Sequence, residues 1–225
     1  MITISLDSGC GFAGQKKCFE DFTKLLQLKY YDDIIEMDCS HNNLTTLPTL
    51  PLGLKTLKCN NNNLYILPEL PYSLEYLNCS NNKLVELPKL STYLIWLYTE
   101  ENNLIKLPPL TKYIRIIYCN NNKLTNLPNL PKDLKYLYCQ DNNLDNLPTL
   151  PDDLHYLYYE NNPIYSFIET YFEGSKLMYF EWMEVYKKKY ANTLGDWFLE
   201  CKYNPKYKYC RDRVNADYDS LINTI

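Results

Sequence analysis

Apolar residues return along this chain at a fixed interval of 20 residues from Ile34 onward. The unit restarts at Leu54, Leu74, Leu94, Ile114, Leu134 and Leu154, so seven units follow one another in register without an insertion. The pattern is L-x-x-L-x-C-x-x-N-x-L-x-x-L-P-x-L-P-x-x. Self-similarity at a constant short period marks a solenoid, in which each unit is one coil stacked on the next. Positions one, four and six point inward from a short strand and its lead-in, while positions three, five and seven alternate outward. Leu at position eleven and the Leu-Pro pair that follows at positions fourteen and fifteen close the coil. Proline fixes φ and favours an extended return path, and so short a coil has no room for a helix on that side. The pattern predicts an α/β solenoid with short parallel strands on the concave face, an extended convex side and helical caps at both ends.

The periodicity also sets boundaries. Residues 1–33 read as an amino-terminal cap, 34–164 as the seven coils and 165–225 as a mainly helical carboxy-terminal cap. Phe19, Phe22, Leu25 and Leu26 fall at helical spacing within Lys17 to Tyr31, which predicts an amphipathic helix covering the first coil. Leu6 and its neighbours add an edge strand. Beyond Ile164 the repeat stops, and aromatic-rich segments interrupted by Gly174 and Pro205 predict further helices. Terminal coils need such covers because an open coil exposes its core.

Two inward columns have architectural explanations. Position six holds Cys39, Cys59, Cys79, Cys119 and Cys139, with Thr99 and Tyr159 in the remaining coils. Cysteine is small and frequently buried, so the column reads as a ladder of packed thiols. A zinc site competes, but it needs ligands converging on one ion, and a column that continues through Thr99 and Tyr159 does not converge. Position nine is Asn in every coil: Asn42, Asn62, Asn82, Asn102, Asn122, Asn142 and Asn162. An amide both donates and accepts, and can satisfy backbone groups where the chain leaves the strand. This column is structural too.

Function belongs to the outward positions. From the third coil on, positions three and five become aromatic, giving Tyr76, Trp96, Tyr98, Ile116, Tyr118, Tyr136, Tyr138, Tyr156 and Tyr158. A continuous exposed stripe of this kind predicts a protein-binding face, since Tyr and Trp combine large apolar area with a polar handle. Position seven stays polar, and position eight carries Asn61, Asn81, Glu101, Asn121, Asp141 and Asn161, predicting a wetter rim. The binding half is carboxy-terminal. Pairing within the sheet or cover by the tail are the other uses the stripe admits, and a second copy of the chain counts among its protein partners.

Composition narrows the alternatives. A net charge of −4 gives no general pull on nucleic acid. The lysine and arginine run from Lys187 to Arg213, interleaved with Tyr203, Tyr207 and Tyr209, has the ingredients for gripping phosphates and stacking bases. However, residues 165–225 hold nine basic and nine acidic side chains, so the segment is neutral. Only two His occur; His41 and His155 lie six coils apart, roughly 29 Å at 4.8 Å per coil. No phosphate loop or nucleophile elbow is present. No enzyme activity, cofactor or metal is expected. Met1 to Leu6 does not read as a signal peptide, and no stretch is apolar for long enough to span a membrane. An odd cysteine count, nine, fits a cytoplasmic chain with reduced thiols, although Cys201 and Cys210 leave pairing open.

The unit resembles the short leucine-rich repeats of enteric bacterial effectors, and is closer still to leucine-rich-repeat proteins of giant amoeba viruses such as Mimivirus. Three features carry the second resemblance: Asn- and Tyr-rich composition, C-x-N-N-x-L coils and the segment Asn204 to Arg211. The resemblance implies a non-catalytic protein-interaction scaffold with a host or viral protein as partner, in the host cytoplasm or the virion. A structural or self-assembling viral protein is the alternative it leaves. Some bacterial relatives join their repeats to a ubiquitin ligase whose cysteine lies in C-x-D. Cys210-Arg211-Asp212 matches those letters, but the roughly 60 residues after the repeats are far fewer than that domain needs.

Overall fold

A computed structural model describes residues 1–6, 16–172, 174, 175 and 178–180. Among them, nine strands form one sheet in the order β2-β1-β3-β4-β5-β6-β7-β8-β9. Strands β3 (Ile34–Asp38), β4 (Thr56–Lys58), β5 (Tyr76–Asn78), β6 (Trp96–Tyr98), β7 (Ile116–Tyr118), β8 (Tyr136–Tyr138) and β9 (Tyr156–Tyr158) each begin a coil. They pair in parallel with identical repeat positions opposite each other, as in Tyr76↔Trp96 and Tyr98↔Tyr118. The 20-residue register of the sequence is thus the register of the sheet. The return of each of the first six coils is extended, with a single turn before the next strand and no helix, whereas the seventh passes into a helix at Pro163. In that turn the amide of position one donates to the carbonyl of position eighteen, as Leu134 does to Pro131 at 3.1 Å.

The core follows the predicted columns. Leu54, Leu74, Leu94, Ile114 and Leu134 at position one are fully buried, as are Leu57, Leu77, Leu97 and Ile117 at position four. Position eleven adds Leu64 through Leu144, also fully buried. All five column cysteines are buried. Thr99 fits among them because its hydroxyl donates to the Tyr118 carbonyl at 3.1 Å. The thiol of Cys79 reaches the equivalent Tyr98 carbonyl at 3.5 Å, so the substitution preserves the interaction.

Burial pushes the Cys39 thiol up to about 12 and lifts those of Cys59, Cys79 and Cys119 well above the ordinary range. A folded state that keeps these protons binds more of them than the unfolded chain once pH exceeds the ordinary thiol value of about 8.5. Stability is therefore fully present below that value and is lost as pH rises through the window towards 12. The denaturation midpoint is expected to fall steadily from pH 8 upward. Under native conditions iodoacetamide should modify exposed Cys18 and spare the five column thiols, as peptide mapping would read.

The amino-terminal flank departs from expectation. Met1 to Leu6 does supply a strand, β1 (Ile2–Leu6), but it is internal to the sheet, antiparallel to both β2 (Lys16–Phe19) and β3. The long amphipathic helix expected over Lys17 to Tyr31 shrinks to one turn, α1 (Phe22–Leu25), capped by the Asp21 side chain on the Thr23 amide at 2.8 Å. Its first residues are taken by β2, which covers the edge of β1 that would otherwise lie open. Leu25 is buried and Leu26 is exposed.

A 3-10 turn, Tyr31–Asp33, precedes the first coil and dictates one residue. A Cβ at Gly53 would lie 2.6 Å from the Asp32 carbonyl oxygen, a backbone atom with little freedom to move. Later coils carry Ser73, Tyr93 or Asp133 at this place. Gly53→Ala is expected to cost about 1–3 kcal/mol through forced backbone displacement, measurable by urea unfolding, whereas Ser73→Ala should cost less than about 1 kcal/mol.

The chain divides into Met1–Asn162 and Pro163–Ile225. In the second unit, α2 (Pro163–Phe172) buries Ile164, Ile168 and Phe172. The Phe172 and Tyr179 rings meet edge-to-face at 5.8 Å. The basic run from Lys187 to Arg213, Cys201, Cys210 and the C-x-D letters lie outside the described residues. No helix among the described residues is long and apolar enough to cross a membrane.

Candidate functional site: the aromatic face

The site is held in place by the asparagine column. Asn122 Nδ2 donates to the carbonyls of Cys119 and Asn120 in its own coil and of Thr99 in the coil before, at 3.2, 3.2 and 3.0 Å. Its Oδ1 accepts from the Leu104 amide at 2.9 Å. Asn62, Asn82, Asn102, Asn142 and Asn162 repeat the arrangement, so every rung ties adjacent coils together. Asn42 has no earlier coil to reach and instead donates to the Met1 carbonyl at 3.2 Å.

One residue earlier lies a feature absent from the sequence reading. Position eight has positive φ in all seven coils, at His41, Asn61, Asn81, Glu101, Asn121, Asp141 and Asn161. Asn and Asp tolerate this left-handed conformation better than other side chains with a Cβ, which explains their dominance there. The rim expected at this column is therefore also the sharp corner of each coil. Side chains still link along it, with Asn81 Nδ2 on Asn61 Oδ1 at 2.7 Å and Asn161 Nδ2 on Asp141 Oδ1 at 2.8 Å.

The structure brings the nine predicted stripe residues together on one face. In the position-five column the Tyr98–Tyr118, Tyr118–Tyr138 and Tyr138–Tyr158 rings stack at 5.0, 4.1 and 4.9 Å, with interplanar angles of 20° or less. Tyr136 and Tyr156 stack at 5.4 Å in the neighbouring column, where Ile116 separates Tyr136 from Trp96. Tyr76 touches both Trp96 and Tyr98. Strand spacing near 4.8 Å forces this ring-on-ring contact.

The stripe is correspondingly less exposed than its pattern predicts. Seven of the nine are half-buried, and only Tyr156 and Tyr158, on the last strand, are exposed, at 50% and 41%. Neighbours cover ring faces, leaving edges and hydroxyls for a partner. Burial, followed by the Tyr138 hydroxyl, pushes the Tyr118 phenol up to about 12.

The flanks of the stripe differ by coil. In the first and third coils Ser40 and Ser80 donate to Asp38 and Asn78 at 2.6 and 2.7 Å, closing the surface with local bonds. In the fourth coil Glu100 replaces that serine. Its Oε2 is buried without a hydrogen-bond partner, and burial raises its pKa. Among the described residues no three His, Cys, Asp or Glu side chains converge to hold a metal ion.

A second aromatic cluster was not visible in the repeat. Tyr72, Tyr93 and Tyr113 sit at the turn before the strand and are 71%, 51% and 40% exposed. Tyr93 and Tyr113 stack at 5.9 Å, and Lys112 Nζ lies 4.6 Å from the Tyr113 ring centre. With Lys55 and Arg115 they border a groove of about 500 Å³. These tyrosines occupy positions nineteen and twenty, where residue type varies between coils, so no column announces them.

No family model and no curated protein matches the chain. Solved structures do. YopM from Yersinia enterocolitica WA-314 matches at 39% identity and TM-score 0.56, over 57% of this chain and 29% of that one. YopM of Yersinia pestis, described as a leucine-rich effector protein, gives 38% and 0.54, over 57% and 37%. A Shigella effector leucine-rich-repeat domain gives 34% and 0.55, over 57% and 59%. Each match spans less than two thirds of the relative's length. Coil geometry, parallel register and these similarities agree: the chain is a leucine-rich-repeat scaffold with an aromatic face, its repeats similar to those of bacterial effectors.

Proposed function

We propose that the protein is a non-catalytic scaffold that binds a partner protein through the stripe from Tyr76 to Tyr158. The observation that carries the reading is the gathering of eight aromatic rings and Ile116 on one face of a sheet whose geometry is fixed independently by the asparagine rungs. A rigid support lowers the ordering cost of binding, and Tyr and Trp are the side chains that most often dominate interface energy. The effector resemblance supports an interaction role. The viral component of the proposal rests on the Asn- and Tyr-rich coils and the Asn204 to Arg211 segment, and it places the protein in host cytoplasm or virion with a host or viral partner. Nucleic-acid contact through the Lys187 to Arg213 run is the lesser reading, since acidic residues balance that segment.

The test is a quantitative pull-down from infected and uninfected host lysate, comparing the native chain with one carrying Trp96→Ser, Tyr118→Ser and Tyr138→Ser. Loss of a partner with the variant is the expected outcome. Equal retention by both chains would remove the stripe from consideration and direct attention to the carboxy-terminal basic run.

A further inference from the structure

Resting on that reading, we propose that the stripe's partner is a second copy of this chain, joined face to face about a two-fold axis running along the stripe. The strands are short and all parallel, so every position-two residue flanks one side of the stripe and every position-seven or position-eight residue flanks the other. The two flanks differ in charge. On the entry side stand Lys55, Lys135 and Arg115, which is exposed, with a single acid, Glu75, that Lys55 meets at 3.8 Å. The exit side has Glu101, Asp141 and Glu160. Among the described residues, Arg115, Glu101, Asp141 and Glu160 belong to none of the ion pairs, while Lys135 meets Asp153 at 3.1 Å.

A two-fold axis along the stripe places each coil opposite the same coil of the second copy and exchanges the flanks. Such an isologous contact requires a surface complementary to itself, and this one is. Lys135 faces Asp141 of the second copy, and His155 faces Glu160. Arg115 falls between Glu101 and Asp141, each one coil away at about 4.8 Å. Ile95, rather than another acid, faces the Glu100-Glu101 pair. On the flanks no like charges oppose each other within a coil, and Glu75, which lies one coil from the Glu100-Glu101 pair, is neutralised by Lys55 of its own chain at 3.8 Å. Within the stripe, position three opposes position five, so aromatic meets aromatic in three coils and Ile116 meets Tyr118 in a fourth. Only the first coil sets acid against acid, Glu36 against Asp38, which confines the contact to the carboxy-terminal coils. Stacked rings leave their edges and hydroxyls outward, and these interleave with the same edges on the other copy.

Sedimentation equilibrium of the full chain from low to high micromolar concentration tests the proposal. A reversible dimer is expected. Arg115→Glu should weaken it about tenfold or more, as reversal at a close interfacial charge pair does. Glu101→Lys combined with Asp141→Asn should weaken it similarly; asparagine preserves the left-handed corner. The chain carrying all three changes should recover dimerisation to within about threefold of native, because each change faces its complement across the axis. Circular dichroism and thermal unfolding confirm that each variant folds. A chain that stays monomeric throughout overturns the proposal, as does a dimer indifferent to these changes and to Trp96→Ser. If the chain is monomeric yet the stripe variant still loses a lysate protein, the binding face stands and the second copy is excluded as its occupant.

Discussion

Replacing Asn122 with leucine lowers the free energy of unfolding by about 3–5 kcal/mol, the largest single-residue effect expected in the repeats. Leucine is similar in size, so little of the loss comes from packing. It comes from the groups left behind: the Leu104 amide and the carbonyls of Thr99 and Cys119, which the amide side chain satisfies in a buried setting. Each buried polar group deprived of its partner costs about 1–3 kcal/mol. Urea denaturation provides the measurement, with Asn126→Ala on the exposed return as a control expected within about 0.5 kcal/mol of native. A loss as small as the control's would mean that the rung adds little beyond the ladder of strand hydrogen bonds. Because the rung joins the fourth and fifth coils, its removal should also broaden the transition, the stack then behaving as two more independent blocks.

The stripe variant carrying Trp96→Ser, Tyr118→Ser and Tyr138→Ser should lose partner affinity by at least about a hundredfold. One anchoring aromatic at an interface centre is worth about 2 kcal/mol or more, and every 1.4 kcal/mol is a factor of ten. The variant should nonetheless fold. Its three positions face outward, and the ring pairs they remove are each worth about 0.5–1.5 kcal/mol, a modest loss for a chain held by several rungs. Titration of the identified partner measures the affinity, and thermal unfolding checks the fold. Tyr72→Ser with Tyr93→Ser is the informative control, since it removes two more exposed tyrosines without touching the stripe. An equal loss of affinity from that control would shift the site to the turn.

The repeat made the coils, their register and both inward columns legible because each feature is a residue type recurring at one position. The stripe was legible for the same reason. Its exposure was not: alternation tells which way a side chain points, but whether neighbouring rings cover each other depends on strand spacing and side-chain angle. The left-handed corner at position eight was present in the sequence as Asn or Asp in five coils, yet His41 and Glu101 obscured it. Tyr72, Tyr93 and Tyr113 escaped because two adjacent positions share the cluster. The β1–β2 pair was hidden differently, since Phe19, Phe22, Leu25 and Leu26 satisfy a helical period while the open edge of β1 favours a strand.

The inter-coil rungs also constrain how such a chain can change in length. Each asparagine addresses groups at fixed offsets in its own coil and in the one before. A single inserted residue between two rungs would misalign one set of bonds and strain the coil that holds it. A whole inserted unit would misalign nothing. Growth or shrinkage by one coil carries all its columns with it, adding or deleting two places on the aromatic face in a single event. The length of the face is therefore quantised, and relatives of this chain should differ in coil number far more readily than in coil size.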